Sequence, residues 1–426
     1  MRSDWKEIKF SELCDITRGA SPRPIHNYLS DQGIPWVKIA DATATDSKYL
    51  SRTREYINPE GKQFSVPVGP GDFILSNSAT PGIPKIMKIY ACIHDGWLLL
   101  RNFRNLDKNF AYWLLIHERK NLLSQGSGSV FTNLKTDILK NHIVRIPSID
   151  DQIKISWILD TIANKIELNR QINQTLEQIA QAIFKSWFVD FDPVKAKIEA
   201  KEKGEDPERA AMCAISGKAD SELDLLSPDQ LDQLSKTASL FPDELEESEL
   251  GMIPKGWRIY SLGNILEFAY GKALKEADRN GGSIPVFGSN GQVGWHDEKF
   301  VEGPGIVVGR KGNPGIVTWV QTDFFPIDTT FYVVSKIKAV SLYFIFHALQ
   351  YHDLPSLASD SAVPGLNRNL AYMNVQVIPA SELIGKFDEL VEKIHSMISQ
   401  NDAVISTLTT IRDTLLPKLL SGALKV

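Results

Sequence analysis

Two sets of loop residues carry side chains suited to hydrogen-bonding an anion with ordered edges. The first set is Arg18, Arg23, Lys38, Asn77 and Ser127; the second is Lys272, Asn290, Arg310, Lys311 and Arg368. Arginine matches the acceptor edge of guanine and asparagine the mixed edge of adenine, while lysine, serine and glycine amides suit phosphates. A solvated turn explains any one of these residues alone. The recurrence of the whole set in two parts of the chain is what points to double-stranded DNA.

Catalytic chemistry cannot be assembled in the same way. No GxGxxG follows a strand and no Walker lysine follows a glycine loop. Gly309–Gly315 (GRKGNPG) has the glycines of a phosphate loop without its GK[ST] ending. The eight histidines are scattered, with no ligand spacing and no nucleophile beside them. Asp190 and Asp192 lie among aromatics at a helix end, which suits docking better than metal binding and makes Trp187, Phe188 and Phe191 candidate partner contacts. The expectation is therefore no catalytic residue, no metal site and no cofactor in this chain.

Long helices must position those loops. From Ile155 to Trp187 the steps Ile155, Leu159, Ile162, Ile166, Asn169, Asn173, Leu176, Ala180, Ile183 and Trp187 alternate four and three, with no Gly or Pro between. That is a heptad seam. Shifted by 232 residues it recurs, with Val391, Ile394, Ile398, Asn401, Leu408 and Leu415 in phase and Asn401 matching Asn169. Two such helices predict an intramolecular antiparallel coiled coil, a rod of roughly 48 Å at about 1.5 Å per residue.

The helices end a larger duplication. Trp5, Phe10, Leu13 and Gly19 match Trp257, Leu262, Ile265 and Gly271 at an offset of 252, and Ile146-Pro147 matches Ile378-Pro379 at 232. Short strand-like runs (VKIA, DFILS, KIMKIY and HIVRI, then IPVFG, GIVVG, VTWV and FYVV) and one aromatic helix per copy, near Asn109–Leu123 and Leu342–Gln350, predict α/β domains with mixed sheets. The expected layout is a recognition domain over 1–147, a helix over 148–192, a linker over 193–253, a second domain over 254–379 and a C-terminal helix over 380–426. The fold class is α/β (α+β) with a pseudo-twofold internal repeat.

Charge divides along the same lines. Residues 1–150 hold 20 Lys and Arg against 15 Asp and Glu, whereas residues 191–250 hold 7 against 16. The acidity is confined to the linker, predicted to be a partly mobile excursion clipped on by Leu225, Leu226, Leu240 and Phe241. Cys14, Cys92 and Cys213 lack paired spacing, and no apolar run reaches the roughly 20 residues of a membrane span, so a reducing cytoplasm is expected.

FKSWFVDFDP at Phe184–Pro193, GMIPKGW at Gly251–Trp257, PVFGSNGQVGW at Pro285–Trp295, GRKGNPG and the Pro-then-coil segments from Pro147 and Pro379 together resemble the specificity subunit of type I restriction–modification enzymes. The resemblance covers essentially the whole chain. It implies two target-recognition domains, each reading half of a split target. The helices would dock two modification subunits, which bind S-adenosylmethionine and methylate adenine N6, and restriction (motor) subunits would complete the complex. Arg412 departs from the repeat, standing where the first helix has Ala180. Alternatives open on sequence alone are an enzyme with an unfamiliar site, a coiled-coil adaptor that binds no DNA, and a specificity subunit of a methylation-only or other phage-defence complex.

Overall fold

The computed structural model describes residues 5–124, 133–358 and 364–426. The chain divides into two compact units, one of Met1–Gln171 with Asp402–Val426 and the other of Ile172–Asn401. Both boundaries fall inside 40-residue helices, Ile149–Phe188 and Ser381–Leu420.

In the first unit the strand Lys6–Lys9 pairs antiparallel with Ile143–Ile146, Lys6 opposite Ile146. A five-stranded sheet runs Asp15–Arg18, Trp97–Arg101, Phe73–Ser76, Pro84–Met87, Tyr49–Leu50. A second runs Leu29–Ser30, Glu55–Ile57, Ile34–Val37, Ala91–Ile93, Val66–Val68, with Ala91–Ile93 parallel to Ile34–Val37. Ile74, Leu99, Val37 and Ile93 fill the space between the sheets. On the outer side of the first sheet, Leu98, Leu100, Phe110 and Leu114 form one core with Ile155, Leu159, Leu419 and Leu420 of the long helices. A buried polar knot adds direction to this packing. Lys48 Nζ lies 2.6 Å from Asp160 Oδ2 and 3.0 Å from Asn109 Oδ1, and Trp113 Nε1 donates to Asp160 Oδ1 at 2.8 Å.

The second unit repeats the scheme. Arg258–Ser261 pairs with Val375–Ile378, and Arg258 faces Ile378, the same two offsets that relate it to Lys6 and Ile146. Its larger sheet runs Leu266–Tyr270, Thr330–Ser335, Gly305–Gly309, Val317–Val320; its smaller one runs Gly291–His296, Ile284–Gly288, Phe325–Pro326. The parallel pairing survives, Val286 beside Phe325 as Trp36 is beside Cys92. Among the described residues, Tyr49–Leu50 has no counterpart in the second copy's larger sheet, whereas Glu55–Ile57 does have one in the smaller, since His296 faces Ile284 as Ile57 faces Ile34.

Three expectations change. The VKIA run is not one strand: the strand stops at Val37 and a helix begins at Ile39, held by Asp41, whose carboxylate accepts the Lys38 N–H at 2.8 Å. Trp187, Phe188 and Phe191, expected on a docking surface, do not lie on one. They are buried in the second unit's core, with Phe188 5.0 Å from Phe344, Trp187 5.3 Å from Phe241 and Phe191 5.6 Å from Trp257 between ring centroids. Clustered rings of this size bury more apolar area there than a docking rim would use.

The linker is a packed helical excursion, with helices Asp192–Lys203, Pro207–Ser216 and Pro228–Ala238 around Ala211, Met212, Leu223 and Ala238. Pro193 opens a helix, where its missing N–H costs nothing. Asp206 and Ser227 cap the next two. Phe241 and Leu240 do pack on the main core and Leu226 on the small one, but Leu225 is 85% exposed and clips nothing.

The seam positions face inward in both units. Leu159, Ile166, Asn169 and Val391 are buried, and Ile162, Leu176, Ile183, Ile394, Ile398, Asn401, Leu408 and Leu415 are half-buried. In the second unit Asn401 Nδ2 donates to Asn173 Oδ1 at 2.8 Å, so the partner of Asn401 is Asn173 rather than its repeat equivalent Asn169. The reason is direction. Trp187 and Phe184 pack against Phe387, so numbering rises on one helix as it falls on the other. Residues equivalent by translation need not face each other in such a pair.

Candidate nucleic-acid interface

The loops that carry the candidate residues are set by the same backbone frame in both copies. Gly82 N donates to Ser76 O at 2.8 Å and Gly315 N to Gly309 O at 2.8 Å. Asn77 N bonds Gly96 O at 2.8 Å, and Arg310 N bonds Thr329 O at 2.9 Å. The carbonyls of Asn77 and Arg310 then accept from Leu134 and Leu366, and the bridges Ser78–Asn133 and Lys311–Gly365 close the frame. Gly19 and Gly271 sit where a Cβ would lie 2.1 Å from His94 O and 2.2 Å from Ile327 O, so no larger residue fits. The frame fixes equivalence more sharply than sequence does. Arg310 corresponds to Asn77 and Lys311 to Ser78, at the same offset of 233 that relates Gly82 to Gly315.

In the first copy the frame gathers three candidates, Arg18, Arg23 and Asn77, around one acidic turn. Asp95 Oδ1 accepts from Ser21 Oγ at 2.6 Å and Oδ2 from Arg23 at 3.1 Å. The Asp95 carbonyl accepts from Arg18 Nε at 2.8 Å and Asn77 Nδ2 at 3.1 Å. The Ser21 hydroxyl bond, then Arg23 and the turn's own amide, hold the Asp95 carboxyl below the usual carboxylate range against partial burial. Lys38 is 3.1 Å from Glu55 and shares with Arg23 an open groove of about 630 Å³. Asn77 is buried with its amide turned to Asp95, so it holds the turn and cannot reach a base edge. Ser127 lies outside the described residues.

The second copy puts different chemistry on the same frame. Tyr270, at the position equivalent to Arg18, is 51% exposed and flanked by two guanidinium groups, Arg310 at 4.7 Å and Arg368 at 5.1 Å from its ring centroid. Arg310 also donates to Asp328 O at 3.1 Å, the counterpart of the Asp95 carbonyl, and Arg368 to Phe268 O at 3.4 Å. Stacking and one backbone bond fix each guanidinium plane and leave other N–H groups to point outward. Lys272 and Lys311 are exposed, the placement a phosphate contact requires. Asn290 accepts from Asn313 Nδ2, which ties its turn to the Gly309–Gly315 loop that carries Arg310 and uses its side-chain oxygen.

Residue chemistry alone misses Tyr270 and the two turn aspartates. The repeat held the signal, since Asp95 and Asp328 share the 233-residue offset of Gly82 and Gly315. Among the described residues no group of three or more His, Cys, Asp or Glu could hold a metal ion. Among them, too, no helix is long and apolar enough to cross a membrane.

Residues 2–178 match the family described as the type I restriction modification DNA specificity domain. The specificity subunit of the type I restriction enzyme HindI from Haemophilus influenzae is 30% identical, over 99% of each chain. That of MjaIX from Methanocaldococcus jannaschii is 23% identical over 99% of this chain and 94% of the relative. The crystal structure of a type I restriction–modification S subunit from M. genitalium shares the fold, with a TM-score of 0.52 at 16% identity over 97% of this chain and 96% of that one. The 30% identity to the HindI specificity subunit, along both globular copies and both long helices, means that this chain belongs to the family of type I restriction enzyme specificity subunits.

Proposed function

We propose that each globular copy reads one half of a split double-stranded DNA target, and that the two long helices set the spacer between the halves. The observation that carries this is the shared frame with unlike side chains: Arg18, Asn77 and Ser78 in one copy stand where Tyr270, Arg310 and Lys311 stand in the other. One scaffold is thereby fitted to two different sequences. The subunit is non-catalytic on this reading. Methyl transfer to adenine N6, with its S-adenosylmethionine, belongs to two modification subunits, restriction subunits complete the complex, and the assembly works in the cytoplasm.

With Trp187, Phe188 and Phe191 buried, partner docking falls to exposed apolar residues of the helices. Ile149, Ile153 and Trp157 lie one turn apart in the first unit and are 45%, 51% and 68% exposed, while Leu390 and Met397 of the second are 38% and 49% exposed. The positions equivalent to the first three are Ser381, Gly385 and Glu389, so the two modification subunits meet non-identical faces.

The test is selection of randomised duplexes by the chain assembled with its modification subunits. Two short preferred runs at a fixed separation are expected. One continuous run, or no preference, refutes the split-target reading.

A further inference from the structure

The turn after strand Ala91–Ile93 holds a group for which the fold itself has no use. His94 Nδ1 lies 2.8 Å from the Gly96 N–H and so must accept that proton, while burial holds the ring below the ordinary histidine pKa. A neutral ring whose Nδ1 accepts carries its proton on Nε2. Nε2 is buried and has no hydrogen-bond partner among the described residues. Folded proteins rarely leave such a donor orphaned without cause.

The surroundings hold the ring in place. Its centroid is 5.9 Å from that of Trp36 and 6.4 Å from that of Trp97, and Trp97 is itself tied to Val37 O at 3.0 Å. A Cβ on Gly96 would lie 2.2 Å from the ring, so glycine is required beneath it. His94 lines the groove of about 630 Å³ together with Ser21, Arg23, Trp36 and Lys38. The Arg23 side chain is 78% exposed and that of Lys38 37%, which leaves cationic arms beside a shielded imidazole. At the equivalent place the second copy has Ile327, which has no side-chain donor. The feature is thus peculiar to one copy, as a determinant of one half-site must be.

We infer that the His94 groove is a base-reading pocket of the first copy, taking the acceptor edge of one purine, with His94 Nε2, closed to solvent in the free chain, donating to N7 once the base displaces the groove side chains that cover it. Arg23 and Lys38 lie against the flanking phosphates. A donor shielded from water discriminates more strongly than an exposed one, because the wrong edge leaves it unpaired in a low-dielectric site. The inference rests on the split-target reading and adds to it a residue, an atom and a ligand edge.

The experiment uses the chain assembled with its modification subunits and duplexes carrying 7-deazapurine at each purine of both half-sites in turn. In the wild type one position, in one half-site, should lose about tenfold in affinity on losing N7. His94→Asn keeps an acceptor for the Gly96 N–H but lacks the distal donor. It should bind the ordinary duplex about tenfold more weakly and be indifferent to 7-deaza substitution at that position. His94→Gln, which places an amide N–H near Nε2, should keep part of the sensitivity. The inference is overturned if no purine of a sequence-selective wild type is N7-sensitive, or if His94→Asn stays fully sensitive. It is also overturned if methylphosphonate replacement of a phosphate, and not 7-deaza replacement, is what His94→Asn renders neutral. A wild-type complex with no sequence preference would sink the split-target reading itself, a separate outcome.

Discussion

Arg310 offers the sharpest separation of base reading from general DNA affinity. Its guanidinium lies 4.7 Å from the centre of the Tyr270 ring and spends one N–H on Asp328 O, so the outward edge is pre-aimed. A bidentate arginine–guanine contact is worth about 1–3 kcal/mol against the wrong base. Arg310→Ala should therefore weaken binding by roughly 5- to 150-fold and relax one position of one half-site. Tyr270→Ala leaves the arginine but removes its stack, worth about 0.5–1 kcal/mol at an exposed site, so a loss of roughly two- to fivefold with the preference retained is expected. Tyr270→Phe keeps the ring and should change little. Lys311→Ala should weaken all sequences alike and lower the salt slope by about one. The assay is equilibrium competition by the assembled complex across single-base variants of both half-sites, at two salt concentrations. If Arg310→Ala relaxes a position in the half-site that also responds to substitutions at Arg18 or Arg23, or weakens every sequence equally, the assignment is wrong.

Three further outcomes test the helices and the second core. Asn401→Leu alone leaves Asn173 without its 2.8 Å partner and should cost about 1–3 kcal/mol, whereas leucine at both positions should raise the melting temperature and loosen register; a double variant less stable than the single one would contradict this. Adding one heptad to both long helices should lengthen the nonspecific spacer by about three base pairs, from a rise of about 10 Å, with both half-sites unchanged in the methylated motif; an unaltered spacer would refute the ruler.

The third outcome is acid lability. Burial pushes His347 down to about 3 and His395 down to about 4, with His395 beside His347 adding to its fall. Their stabilising contribution is complete above the unfolded value near 6.5 and is lost as pH falls toward 4, at about 1.4 kcal/mol per unit for each histidine. Asp388, raised to about 6 by partial burial, acts in the opposite sense but is more exposed to solvent and offsets less. Denaturant midpoints that stay flat from pH 6.5 to 4.5 would rule this out.

What sequence shows here is whatever local periodicity and repetition encode. The heptad steps, the offsets of 252 and 232 and the Ile-Pro landmarks translate directly into helices and strand registers, because each is a short-range pattern. Tertiary choices overrode the rest. Val37 and Ile39 are equally apolar, yet Asp41 turns the chain into a helix between them. The acidic linker looked too charged for a core, but Lys197 is buried against Glu208 at 2.6 Å and the Phe241 carbonyl at 2.9 Å. Its charges serve as internal pairs. Asn77 looked like a base reader because its amide is the right group for adenine; only the fold shows that the side chain is buried with its N–H given to the Asp95 carbonyl.

The division of labour within the interface explains how two copies of one frame can read different sequences. The frame consists of backbone hydrogen bonds and of two glycines packed against carbonyl oxygens, none of which depends on the identity of a reading side chain. Arg310, Lys311 and Arg368 project from it with exposed or half-exposed side chains, where substitution usually changes stability by within about 0.5 kcal/mol. Gly271 is the opposite case, since a methyl group there would meet Ile327 O at 2.2 Å and Pro326 O at 2.6 Å. The physical constraint therefore falls on the backbone frame and its packed glycines, and the rim is left free to differ. That freedom is visible within this one chain, in Arg18 against Tyr270, Asn77 against Arg310 and His94 against Ile327.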